Sequence, residues 1–256
     1  NSKMSVFIEY LSIVTGIELW EVIVLCAISF LGSFITAAFG LGGGTLNLAT
    51  MALIFSPTVL IPVHGVVQLG SNFGRAFLMY KSVKMEIIPS FILGTIIGAL
   101  VGGYIVVELP TQALQVFLAI FIFYTVWAPK LFANKLKKIS FLSVGAFGAF
   151  VTMFVGATGP ILTPFVVATS NGRKQVVGTH AVLMSIQHTF KIVAFGFIGF
   201  SYIQYIPIIF TLIILGFFGT IIGKRTLNWL SEGIFELLLK VILTLMALKL
   251  ALGSIL

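Results

Sequence analysis

The chain contains no aspartate, and its acidic side chains are seven glutamates: Glu9, Glu18, Glu21, Glu86, Glu108, Glu232 and Glu236. None falls in the middle of an apolar run. A cation pathway through a membrane wants carboxylates at depth, so this absence disfavours that class from the outset. The single cysteine, Cys26, sits in an apolar run and excludes an internal disulfide and any chemistry that needs paired thiols. Charge of either sign is scarce, at 9% of residues against about 25% in soluble domains. With 59% hydrophobic residues and a mean hydropathy of +1.17, the chain cannot offer water a polar surface all round. It reads as an integral membrane protein with no soluble domain of useful size. Residues 1–19 are short and amphipathic, without the basic start and small-residue cleavage site of a signal peptide.

What is present in abundance is apolar runs. A helical span needs about 20 such residues. The runs predict segments at 19–39, 44–61, 63–80, 87–107, 111–128, 139–157, 159–170, 175–199, 203–223 and 233–254. They are continuous rather than alternating, which argues against a sheet barrel. Segments 44–61 and 159–170 follow "GLGGG" and "GATGP" and read as half-helices or arms of re-entrant hairpins. The net charge of +8 lies mostly between the runs, in the positive-inside pattern of membrane proteins rather than that of a nucleic-acid binder. That rule puts 81–86, 129–138, 171–174 and 224–231 in the cytoplasm. It puts the two termini and the 108–110 turn outside. The expected location is a bacterial-type cell membrane.

The sequence matches itself weakly at an offset of 116 residues. "AAFGLGGGTLNLA" lies over "MFVGATGPILTPF", so that Gly40 meets Gly156 and Gly43 meets Gly159. Without a gap, His64 then meets His180 and Arg75 meets Lys191. The first half starts outside and the second inside, so the halves are inverted. The expected organisation is a first repeat over 1–128, a basic connector over 129–138 and a second repeat over 139–256. The fold class is therefore an all-α polytopic membrane protein of about ten segments, in two five-segment inverted-topology repeats. Broken helices within inverted repeats are a signature of secondary transporters.

Two helices carry polar residues that an apolar span should not have. His64, Gln68, Asn72 and Arg75 fall within a stripe of about 80°, joined by Ser71. His180, Gln187, His188 and Lys191 form a similar stripe. Each edge ends in a cation. Ionisable groups in the bilayer core cost about 2.5–3.5 kcal/mol each on insertion scales and by default suggest function. The competing readings are that Arg75 and Lys191 snorkel to the interface, that His64 caps a helix start after Pro62, and that His188 is an ordinary core histidine.

The glycine clusters supply the rest of the site. A break at membrane depth frees amide N–H groups at the start of the following half-helix, near Gly42, Gly43, Gly44 and Thr45 and near Gly159 to Ile161. A helix N-terminus carries about half a positive charge and attracts anions. Thr45, Asn47, Thr158 and Thr163 add neutral donors. The resulting candidate substrate site comprises these residues with His64, Gln68, Asn72, Arg75, His180, Gln187 and Lys191. It favours a small inorganic or organic anion. A co-transported proton would fall to His64 or His180, since no carboxylate is at hand. "GLGGG" does not match the dinucleotide spacing G-x-G-x-x-G, and neither a His-Glu-x-x-His zinc motif nor a G-x-S-x-G elbow occurs. No cofactor and no metal is called for.

"GLGGGTLNLATMAL" in the first half and "GATGPILTPFVVATSNGRKQVVGTHAVLM" in the second resemble the TauE/SafE sulfite exporter family, the TSUP permeases. The resemblance covers nearly the whole chain and rests on the arrangement of small residues in both halves. Leu48 stands where the family often has proline after the cluster, whereas Pro164 keeps it in the second half. The resemblance implies transport of sulfite, organosulfonates or other small organic anions. The expectation is a transporter, not an enzyme, in which one half rocks against the other. A passive anion channel is the alternative. An intramembrane enzyme lacks any acid or nucleophile–base set in the spans.

Overall fold

A computed structural model describes residues 3–39, 42–127, 140–226 and 233–255. Gly40, Leu41 and the 129–138 connector, with its four lysines, lie outside the described residues. Among the described residues there are eleven α-helices and no strand. They are α1 Lys3–Thr15, α2 Leu19–Phe39, α3 Gly43–Ala52, α4 Pro57–Leu78, α5 Ile88–Val106 and α6 Thr111–Trp127. After the connector come α7 Phe141–Val155, α8 Gly159–Thr169, α9 Arg173–Phe197, α10 Ile206–Thr226 and α11 Gly233–Ile255.

Three stretches among the described residues are long and apolar enough to cross a membrane: Leu19–Phe39, Met85–Val106 and Ile203–Arg225. Large apolar side chains point outward around the bundle, with Phe197 90% and Tyr104 80% exposed. Such a surface suits lipid and not water. At 1.5 Å per residue the 10-residue α3 and the 11-residue α8 reach only about half way through a bilayer core of about 30 Å. Both are half-helices.

One boundary differs from the sequence reading. The turn after α3 lies at residues 53–56, and α4 begins at Pro57 rather than after Pro62. Proline at the first helical position costs nothing, because its missing N–H would have had no partner there. Pro62 and His64 therefore lie inside α4, and His64 does not cap a helix start.

The helices pair across the middle of the chain. α2 lies along α10, α5 along α7, α4 along α9 and α6 along α11. α4 also touches α10, and α9 touches α5. The two closest crossings use small residues, so that backbones approach directly. A side chain at Gly98 of α5 would collide with the Ala146 carbonyl of α7, and one at Gly219 of α10 with the Phe30 carbonyl of α2.

The loops sort by charge. Lys81, Lys174 and Lys224 line one recess, and Lys84 donates from its backbone N–H to Thr179 Oγ1 at 2.9 Å and from Nζ to the Thr169 carbonyl at 2.8 Å. Three basic segments thus share a face. Val107 and Glu108 meet Phe197 and Ile198 at the other end of α5. The turns without basic residues share that opposite face.

Replacing Gly98 with leucine should separate α5 from α7. Thermal unfolding in detergent should show a loss of about 1–3 kcal/mol or failure to fold. Gly196→Ala, where nothing lies within 4 Å of the added methyl, should leave the melting temperature unchanged.

Candidate functional site

The two half-helices point their N-termini at one cavity. Gly42, with φ of +96°, is the residue before α3, and its left-handed backbone turns the chain into the helix. The first rung of α3 runs from the Leu46 N–H to the Gly42 carbonyl at 3.0 Å. The amides of Gly43, Gly44 and Thr45 precede that rung and have no acceptor within the helix. The second break is tighter. Gly156 ends α7 with φ of +77°, and Thr158 precedes α8. Both Ile161 and Leu162 donate N–H bonds to the Thr158 carbonyl at 3.0 Å. Pro160 has no N–H, so Gly159 alone retains an amide ahead of the ladder. Ile161, expected to offer its amide, has it occupied. The halves are unequal, with the first break richer in donors.

The cavity is lined by Gly42, Gly44, Thr45, His64, Gln68, Asn72, Gly159, Thr163 and His180 from the expected set. Its free volume is about 40 Å³, room for about three water molecules. The structure adds Thr36, Ala157, Pro160, Met184 and His188 to the wall. His188 is thus not a bystander of the core. Its Nδ1 and the Nε2 of His64 are buried without a hydrogen-bond partner, and the two rings stand nearly perpendicular with centroids 6.1 Å apart. At the 116-residue offset His188 corresponds to Asn72 and Met184 to Gln68, so the self-match that paired the histidines held the signal for both.

Seven of the expected residues do not line the cavity. Gly43 presses against α2, where a side chain would overlap the Gly32 carbonyl. Asn47 is buried on α3. Ile161 is partly buried on α8, packed against the main apolar core. Thr158 Oγ1 donates to Gln187 Oε1 at 2.7 Å, so these two hold the second break rather than face the cavity. Arg75 lies behind Asn72, with NH1 donating to Asn72 Oδ1 at 2.9 Å and NH2 to Ser71 Oγ at 3.3 Å. Asn72 in turn donates from Nδ2 to the Gln68 carbonyl at 2.8 Å. Lys191 donates from Nζ to the Gly156 carbonyl at 2.5 Å. His64 Nδ1 meets that same carbonyl at 3.2 Å, and His180 Nε2 meets the Gly159 carbonyl at 3.1 Å.

Arg75 and Lys191 do not snorkel. They are 2% and 0% exposed and rank among the largest fully buried side chains. No carboxylate is buried among the described residues, and the one ion pair there joins Lys84 to Glu86 on the surface. Burying a cation without a counter-charge costs several kcal/mol even after relaxation. Two basic side chains without a buried carboxylate and two helix N-termini bias the region toward positive potential. No three His, Cys, Asp or Glu side chains among the described residues are placed to hold a metal ion. Chemically, the arrangement can solvate a small anion with amides, hydroxyls and imidazoles, backed by fixed positive charge.

A model of the family described as sulfite exporter TauE/SafE matches residues 25–250. No curated protein and no solved structure matches the chain.

Gly44 and Gly43 separate binding from folding. A methyl at Gly44 would stand 3.5 Å from Gln68 Oε1, an ordinary contact, but inside the cavity. With sulfite as the probe anion, Gly44→Ala should keep the melting temperature and weaken the binding read by calorimetry about tenfold or more (roughly 1.4 kcal/mol) if the cavity is where the anion sits. Gly43→Ala should instead lower the melting temperature, because its methyl meets the α2 backbone.

Proposed function

The chain belongs to the TauE/SafE family, and from that premise we propose that it is a secondary transporter of small anions, sulfite or organosulfonates in the first instance. The observation that carries the reading is the pair of buried, carboxylate-free cations beside a cavity where two half-helix N-termini meet. That charge distribution rewards a negative solute and penalises a positive one. The substrate site comprises the cavity wall, with Arg75 and Lys191 as fixed counter-charges one layer behind it.

Two five-segment inverted repeats fit the helix pairing. If α2 to α6 correspond to α7 to α11, then α2 against α10 and α7 against α5 are the same contact with the halves exchanged. The α4–α9 and α6–α11 pairs are each self-corresponding. The pairing also supports a refinement of how the protein moves. α10 belongs with α2, α3 and α4, while α5 belongs with α7, α8 and α9. The rocking bodies are these two mixed bundles, meeting along α4 and α9 at the cavity. The positive-inside rule places the lysine-bearing face in the cytoplasm.

The cavity's small volume suits an occluded site in an alternating cycle better than an open bore. A coupled proton would be carried by the imidazoles of His64, His180 or His188, the titratable groups on the cavity wall.

Reconstituted into vesicles, the protein should accumulate sulfite above its outside concentration when a proton gradient is imposed. Flux that only follows sulfite's own gradient would identify a channel instead. The Arg75→Gln/Lys191→Gln double variant should lose about 10–100-fold in sulfite affinity by calorimetry. Unchanged affinity would reduce Lys191 to a ligand of the α7 end and Arg75 to a support for Asn72 and Ser71.

A further inference from the structure

A second concave feature lies on the basic face, apart from the cavity. It is a recess of about 430 Å³ at the meeting of the α4 C-terminus, the α9 N-terminus and the α10 C-terminus. Lys81, Lys174 and Lys224 reach it from three different segments. Lysines at a membrane face are common, and the positive-inside pattern accounts for their number. It does not account for their convergence on one hollow.

The cations of this face divide into two kinds. Arg173 donates from NH2 to the Ala38 carbonyl at 2.7 Å, and Lys224 from Nζ to the Leu78 carbonyl at 2.8 Å. Each caps a helix C-terminus, where positive charge belongs. Lys174 and Lys81 do not. Lys174 sits in the first turn of α9 beside Arg173, with no acidic residue in that turn. Two cations there oppose the helix dipole, which is already positive at that end. Lys174 has no hydrogen bond or ion pair among the described residues, and Lys81 lies over the Tyr80 ring at 5.8 Å. The acid nearest in sequence, Glu86, lies 4.0 Å from Lys84. Among the described residues no acidic side chain lines the recess, which carries three lysines.

Its position gives it a use. Leu78 in the recess and Asn72 in the cavity lie on α4, six residues and about 9 Å apart along the helix. Lys174 and His180 repeat that spacing on α9. Met79, on the recess wall, packs with Val177 of α9 in a small apolar cluster, 7% and 2% exposed. Arg75 is buried on the same stretch of α4 and faces Asn72.

We propose that the lysine recess is an outer anion site, distinct from the central cavity, that holds a sulfur or phosphorus oxyanion before or after its passage. This rests on the anion-transport reading. It adds a second site to that reading. Phosphate of an anionic lipid headgroup carries the same chemistry, and the test separates the two sources.

The full-length protein is compared with its Lys81→Gln/Lys174→Gln variant, both residues being exposed and outside the cavity wall. In phosphatidylcholine vesicles without anionic lipid, the variant should show about a tenfold higher half-saturating concentration for sulfite presented at the basic face. Its maximal rate should stay within about twofold of wild type, because exposed lysines steer the anion without building the central site. The difference should shrink at high potassium chloride, and Lys81→Arg/Lys174→Arg should restore wild-type values. Equal half-saturation in wild type and variant, with equal melting temperatures, would overturn the outer site. An effect seen only when phosphatidylglycerol is present would assign the recess to lipid and overturn it equally. Should the wild type move no sulfite at all, the transport reading itself fails. The recess is then judged by sulfite calorimetry in detergent, where loss of one binding event in the variant upholds it and identical isotherms reject it.

Discussion

A helix that stops inside a membrane leaves backbone groups with no water to satisfy them, and the rest of this structure is arranged around that constraint. The Gly156 carbonyl is the clearest case. Left alone at the end of α7 it would be an orphan acceptor in an apolar interior. Lys191 from α9 and His64 from α4 both reach it. The contact ties the second break to helices from both halves of the chain. It also gives a buried ammonium a partner that neutralises none of its charge. The same bond that satisfies the backbone therefore leaves the site positive.

That residual charge connects architecture to function. Carboxylates would have compensated Arg75 and Lys191 and closed the site to anions. With no aspartate in the chain and no glutamate buried among the described residues, no carboxylate there compensates them, and this is the ground of the anion-transport proposal. Arg75 donates from its two terminal nitrogens to Asn72 and Ser71 and so orients the cavity wall, while its Nε is buried without a partner. Gly65 shows how closely this is fitted: a methyl there would stand 2.7 Å from Cε of Lys191. Two helices with polar stripes can meet face to face only if the lysine has somewhere to pass.

The two halves are interleaved rather than placed side by side. α10 leaves the second half to join α2, and α5 leaves the first to join α7, through crossings of small residues. This exchange ties each bundle to both ends of the chain. It leaves the α4–α9 seam, lined by His64, His180 and His188, as the surface along which the bundles meet. The basic recess lies at one end of that seam, where the α4 C-terminus meets the α9 N-terminus.

Much of this was legible in the residues. Apolar run lengths set the helices nearly as found, because a helix in lipid must satisfy its own backbone and so follows hydropathy closely. The glycine clusters marked the breaks, and helical periodicity put His64, Gln68 and Asn72 on one edge, where they line the cavity. Periodicity could not tell lining from support, since it orders residues around one helix and says nothing of what faces that helix. So Thr158, Gln187, Arg75 and Lys191 stood in the expected wall, and only their hydrogen bonds move them one layer back. His188 and Met184 enter because α9 lies against α4, a long-range contact between helices. The sequence by itself determined that the chain breaks twice and that the surroundings carry positive charge. Which donors remain free at each break, which cations are buried, and which loops converge into a recess were decided by tertiary structure, because each depends on distances between segments far apart in the chain.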